Sequence, residues 1–227
     1  MRYPARAWLI ASVISLLGAG LTPAQGGELV NGDFSNGLFG WVVSDPSYVT
    51  VSNGKVTLAE HPIDQEVFLY QDFTLPVGAP SLSFTIAGLT SESDGDPPNA
   101  FGAALIDPLT SLSLVPTVDS MTDSFYIRDL VSGVSQGDAA AGVTVSPAAD
   151  ALPLTISVAI AGPLGGQNAR ILFRLLSGGT ATGSSVTLDG VTLAAVPEPG
   201  GIVLLATGLA CVAALSTGRL TRLRFPG

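Results

Sequence analysis

Apolar residues in the middle of this chain recur on alternate positions. In "SLSFTIAGL" Leu82, Phe84 and Ile86 share one face. In "LPLTISVAI" the same holds for Leu154, Ile156, Val158 and Ile160, and in "ARILFRLLS" for Ile171, Phe173 and Leu175, with Arg174 turned outward. A period of two is that of a strand with one buried face. Asn53-Gly54, between "YVTVS" and "KVTLA", is a strong signal for a tight hairpin. In "SSVTLDGVTL", Val186 and Leu188 alternate, but Val191 and Leu193 fall on the opposite parity. Either a bulge at Asp189-Gly190 restores the inward face, or both faces are buried there. Many short strands with Gly, Pro and Asn turns, and no long helical period, predict an all-β sandwich over residues 27–195.

Two further segments carry a different pattern. Residues 1–26 begin with Arg2 and Arg6, continue with an apolar run from Ala7 to Leu21, and end in small residues. This is the three-part layout of a secretory signal peptide, cleaved after Ala24 or Gly26, and it implies the Sec translocon and signal peptidase as partners. At the other end, residues 200–218 contain no charged residue, a length that suits a single transmembrane helix. Pro197 and Pro199 block helix before it, and Arg219, Arg222 and Arg224 follow as a basic stop-transfer cluster. The predicted topology puts the domain outside and the arginines in the cytoplasm.

Composition narrows the function. Between residues 27 and 195 there are 17 acidic residues and four basic ones, Lys55, Arg128, Arg170 and Arg174. Such a surface repels phosphate backbones, which argues against nucleic acid as a partner. The single cysteine, Cys211, lies in the apolar tail, so the domain has no disulfide to staple it. The single histidine, His61, lies in "AEHPID", and no nucleophile elbow, HExxH or phosphate-binding loop accompanies it. The expectation is that the protein is not an enzyme. Candidate exposed aromatics are Trp41, Tyr48, Tyr70 and Tyr126, of which Trp41 reads better as core.

The tail, "VPEP" followed by a Leu-, Ala- and Gly-rich span and an arginine cluster, resembles the PEP-CTERM sorting signal of Gram-negative bacteria over residues 196–224. The resemblance implies recognition by exosortase, a membrane cysteine transpeptidase, with processing at or near Pro197-Glu198-Pro199. It also implies a transient stay in the inner membrane, then transfer to the cell surface or extracellular matrix, often beside exopolysaccharide. A plain anchor facing the periplasm is the alternative.

The opening "NGDFSNGLFGW" and closing "SVTLDGVTL" resemble the two ends of galactose-binding-like jelly rolls, with carbohydrate-binding modules of the CBM4/9 type as the nearest comparison. "PPNAFGAALIDP" resembles a "PDAFEVALLD" segment of bacterial surface proteins with such domains, with Asn99 and Gly102 in place of its acids. The resemblance implies a jelly-roll-like ectodomain with a structural Ca2+ held by Asp189 and, more weakly, Asp33. Ser35 stands where that pattern has a further Glu ligand, and Asp189 is otherwise a turn residue at the bulge. The loop "SESDGDPPN" is a second candidate, in which Glu92, Asp94 and Asp96 wrap a hard cation or simply face solvent. Three roles then compete: a structural or adhesive matrix protein, a carbohydrate-binding module for exopolysaccharide, and a Ca2+-stabilised scaffold.

Overall fold

The alternating segments form the expected strands. The computed structural model describes residues 29–195 except 79, 92–98, 120, 138–141, 148–150 and 178–182. The signal-peptide segment, the PEP motif, the predicted span and its arginines, and the 92–98 part of the acidic loop lie outside the described residues. Among the described residues no helix is long and apolar enough to cross a membrane.

Among the described residues twelve strands run in chain order: β1 Val42–Val43, β2 Val49–Ser52, β3 Lys55–Ala59, β4 Glu66–Thr74, β5 Pro80–Thr90, β6 Ala100–Ile106, β7 Ser124–Asp129, β8 Ser135–Gly137, β9 Thr144–Ser146, β10 Leu154–Ala159, β11 Asn168–Leu176 and β12 Ser185–Ala195. They form two six-stranded antiparallel sheets. Sheet A has the order β1-β4-β11-β6-β7-β8, and sheet B the order β2-β3-β12-β5-β10-β9. The fold is all-β, a jelly-roll-like β-sandwich.

The predicted inward faces are buried. Leu82, Phe84 and Ile86 of β5, Leu154, Ile156 and Val158 of β10, and Ile171, Phe173 and Leu175 of β11 all enter one core. Aromatic rings join the sheets at its centre. Phe84 of sheet B meets Phe173 of sheet A edge-on with centroids 4.9 Å apart, and Phe101 and Tyr126 at 6.2 Å each. Such pairs add about 0.5–1.5 kcal/mol each beyond the area they bury.

The turns follow their residue types. Asn53 and Gly54 both take positive φ, 51° and 71°, which makes a type I′ turn between β2 and β3. The bulge in β12 lies where parity breaks: Asp189 pairs with Thr85, but the next pair is Thr192 with Ser83, and Val191 turns inward. A second irregularity, not expected from sequence, lies opposite it. Thr187 pairs with Gly88 and Leu188 with Ile86, so Ala87 is the extra residue and Leu89 packs on the core.

Tyr126 is a correction. It is fully buried rather than exposed, because Phe125 is an extra residue in β7 between the pairs Ala103–Tyr126 and Ala104–Ser124. The bulge turns Tyr126 inward, where its hydroxyl meets Ser135 Oγ at 2.9 Å.

The opening motif is a hydrogen-bonded knot. Asn31 Nδ2 donates to the carbonyls of Gly37 and Phe39, and its Oδ1 accepts from the Asn36 amide. Trp41 Nε1 donates to the Asn31 carbonyl, and the indole packs 5.2 Å from Phe34 within the core. Buried Gln71 of β4 holds the knot to sheet A. It accepts from the Val30 amide and donates to the carbonyls of Val30 and Gly40.

Candidate functional site

The outer faces of the two sheets differ. On sheet B, hydroxyls pair with one another across strands: Ser83 with Thr192, Thr85 with Thr155, Thr57 with Thr187 and Thr90 with Ser185, at 2.7–3.2 Å. In each pair one hydroxyl donates to the other, so this face is polar and carries no large side chain at these positions.

Sheet A carries large side chains outward. Val67, Leu69, Gln71 and Phe73 of β4 point to the core, so Glu66, Phe68, Tyr70 and Asp72 point out. The register aligns them with the outward residues of β11 and β6. Asp72 lies beside Arg170, with Ile106 beyond it; Tyr70 lies between Val42 and Leu172, with Ala104 beyond Leu172; Phe68 lies beside Arg174, with Gly102 beyond it. The result is a trough of about 310 Å3 with Phe68, Tyr70, Leu172 and Ile106 in its apolar lining and Glu66, Arg170, Arg174, Ser111 and Asp123 around them. Beyond Arg170 a further hollow of about 410 Å3 continues past Asp72, Thr74, Asn168 and Leu109.

One wall is the connection between β6 and β7, residues 107–123. Asp107 accepts the amides of Leu109 and Thr110, and Leu114 donates back to the Leu105 carbonyl. Asp119 accepts from the Met121 amide and the Thr122 hydroxyl. The Thr122 hydroxyl, helped by the Met121 amide and the charge of Arg174, holds the Asp119 carboxyl below the usual value.

Arg170 is the most constrained polar group in the trough. Its Nε and Nη2 donate to Asp72 Oδ1 and Oδ2 at 2.6 and 2.9 Å, a bidentate fork. The guanidinium carbon lies 4.0 Å above the Tyr70 ring centre, a cation–π contact. The hydrogen bond to Asp72 raises the Arg170 pKa above its ordinary value. Arg174 is looser: its Nε is 3.6 Å from Glu66 Oε1, beyond hydrogen-bond length.

Asp33 and Asp189, two of the residues expected to bind metal, are placed apart from this trough. Asp189 faces Lys55 at 3.5 Å across the β3–β12 pair. Asp33 Oδ1 accepts the amide and hydroxyl of Ser35 at 3.2 and 2.9 Å, which hold its carboxyl below the usual range. Ser35, which stands in for a ligand residue, thus binds the neighbouring aspartate. The opening and closing motifs do meet, since Val191 donates its amide to the Gly32 carbonyl at 2.9 Å. Among the described residues no three His, Cys, Asp or Glu side chains come together as a metal site. Asp94 and Asp96 lie outside the described residues, as do Pro197, Glu198, Pro199, Arg219, Arg222 and Arg224.

His61 is held in a turn. Its Nδ1 accepts the amides of Ile63 and Asp64, its ring meets Tyr48 edge-on at 4.4 Å, and its Nε2 lies 3.9 Å from Asp45. No serine is among these neighbours.

Asn99 is not a surface residue. It is buried with Glu60, donates to both Glu60 oxygens at 3.3–3.4 Å, and lies 2.6 Å from Ser184 Oγ. Glu60 also accepts from the Ser177 hydroxyl and the Ser184 amide. This network ties the ends of β3 and β11 to the starts of β6 and β12. A carboxylate at position 99 would add a second buried charge there. At Gly102 an added Cβ would come within 2.9 Å of Ser124 Oγ, so a Glu there requires that hydroxyl to turn away.

Of the aromatics singled out from sequence, only Tyr70 lines the trough. Phe68, Arg170, Leu172 and Arg174 were missed as site residues. The available signal was "EVFLYQDFT", which carries large aromatics on both parities.

No family model matches the chain, and no curated protein matches it in sequence. Three solved structures are similar to it at low identity. One is the carbohydrate-binding module TmCBM61 in complex with β-1,4-galactotriose, 15% identical, covering 75% of this chain and 99% of that one, TM-score 0.38. Another is the K3 cleaved adhesin domain of Lys-gingipain from Porphyromonas gingivalis w83, 14% identical, covering 75% and 99%, TM-score 0.41. A third is a CBM4 structure, 17% identical, covering 77% and 89%, TM-score 0.35.

Proposed function

We propose that this chain is an exported, non-catalytic glycan-binding β-sandwich that exosortase delivers to the cell surface or matrix through its PEP-CTERM tail. Its adhesive role there is to hold the protein to exopolysaccharide by the outer face of sheet A. The observation that carries this reading is the contrast between the two outer faces. Sheet B presents hydroxyls already paired with one another. Sheet A presents an apolar floor of Phe68, Tyr70, Leu172 and Ile106 beside a fixed Arg170–Asp72 fork. Sugars have that pair of needs: a C–H face to lie on an apolar or aromatic surface, and hydroxyls to meet few well-placed polar groups.

The test is retention in affinity gels cast with matrix polysaccharide from the host, comparing wild type with Phe68→Ala and Arg170→Ala. Retarded wild type and unretarded variants of unchanged melting temperature are expected. Equal mobility of all three, with and without polysaccharide, rejects the reading.

A further inference from the structure

The charge state of the ligand can be read from what the domain's cations already do. Of the four basic residues in the exported part, Lys55 faces Asp189 on sheet B, at 3.5 Å. Arg128 is buried, only 5% exposed, with Nη1 donating to Ser135. The remaining two, Arg170 and Arg174, border the trough, where Glu66 and Asp123 also lie and Asp72 grips Arg170. The trough's own charges balance, Glu66 and Asp123 against Arg170 and Arg174, and Asp72 in the adjoining hollow adds one carboxylate, inside a domain with 17 acids.

Resting on the glycan-binding reading of this trough, we infer that it selects uncharged polysaccharide and rejects uronate-bearing chains, with the Arg170–Asp72 fork as the specificity-determining pair. A ligand carboxylate would have to take Arg170 from Asp72, breaking two charge-assisted hydrogen bonds and leaving Asp72 beside a second anion. A neutral chain leaves the fork intact. The Asp72 oxygens keep lone pairs that accept a sugar O–H, and Arg170 Nη1 stands outside the fork as a donor. Donor and acceptor side by side match two neighbouring hydroxyls of a sugar ring. Asp72 also fixes the guanidinium over Tyr70, so the reader is preorganised before ligand arrives. At longer range the acidic domain slows the approach of any polyanion.

The full-length chain, held in a zwitterionic detergent free of sugar, is run through gels containing uncharged β-glucan, galactan, mannan or dextran, and through gels containing polygalacturonate or alginate. Retention is expected on at least one uncharged polymer and at least about tenfold weaker on both polyuronates at low salt. Asp72→Asn releases Arg170 and is expected to gain retention on polyuronate that fades as salt rises. Asp123→Asn, outside the fork, is expected to gain less. Wild-type retention on polyuronate equal to or stronger than on every uncharged polymer overturns the inference and leaves the glycan-binding function standing. Retention on none of the polymers overturns both. The wild-type comparison decides even where a variant loses its fold.

Discussion

The Val191 amide donates to the Gly32 carbonyl at 2.9 Å, so the last strand closes directly on the first turn. The approach is tight enough to require glycine. A Cβ on Gly32 would lie 2.0 Å from the Val191 carbonyl oxygen, which is backbone and cannot swing aside. Gly32→Ala is expected to destabilise the domain by about 1–3 kcal/mol, the range for forced overpacking. A thermal melt that matches wild type would show that the two ends do not meet this closely.

The buried Glu60 network gives a second prediction. Asn99→Asp removes the amide donor and sets a second carboxyl against Glu60 in a site closed to water. Two carboxylates set together in a buried site repel one another, and neither then has the amide donor. The variant is expected to lose about 3 kcal/mol, as when a buried charge loses its partner. The denaturant midpoint checks it, and a variant as stable as wild type would show that Asn99 does not hold Glu60.

The same network shows what a sequence reader can and cannot reach. Strand faces were legible, because burial on one side writes a period of two into β5, β10 and β11. The hairpin at Asn53-Gly54 and the bulge at Asp189-Gly190 were legible, because positive φ selects few residues. Tyr126 was not, since one extra residue in β7 reverses its face and nothing local marks Phe125 as that residue. Glu60 and Asn99 lie 39 positions apart and meet only once the sandwich closes. The trough is a relation among three strands. Arg170 finds Asp72 across 98 residues through the β4–β11 register, which no single segment encodes.

Tyr126→Phe separates core from site. The substitution deletes the hydroxyl that meets Ser135 and keeps the ring that packs on Phe84 and Phe101. A cost of about 1 kcal/mol is expected in the melt, the net worth of one hydrogen bond. Polysaccharide retention should be unchanged, because the ring faces the core and not the trough. Lost retention at wild-type stability would move the binding face to the β7–β8 side.

Acid should loosen the loops before the core. The carboxyls of Asp33, Asp45, Asp107 and Asp129 are held below the ordinary value of 3.8, in each case first by a backbone amide within the next three residues. Asp119 joins them through the Thr122 hydroxyl and the Met121 amide. A depressed folded-state pKa contributes stability that is full above the unfolded value and is lost as pH falls through the folded one. Stability is therefore expected to be flat from neutral pH down to about 4 and to fall below it. Protection of the Leu109 and Thr110 amides, whose protons Asp107 holds, should fall there first, with exchange measured against the intrinsic rate at each pH. Loss beginning well above pH 5 would point to a different group.

The last prediction concerns the tail, where the argument is from residue order alone. Glu198 is the only charge between Ala195 and the arginines, and it is set between two prolines, a residue type that favours extended backbone. A processing enzyme at the membrane face needs an extended segment and one distinctive side chain, and the sequence offers both here. Replacing Pro197, Glu198 and Pro199 together by alanine leaves the span 200–218 and Arg219, Arg222 and Arg224 intact. Membrane insertion and orientation should then be unchanged, and only processing lost. In the native host, wild type is expected to lack the tail by intact mass and to leave the inner membrane, while the variant stays full-length within it. If both remain full-length in that membrane, the tail is a permanent anchor and the trough faces the periplasm.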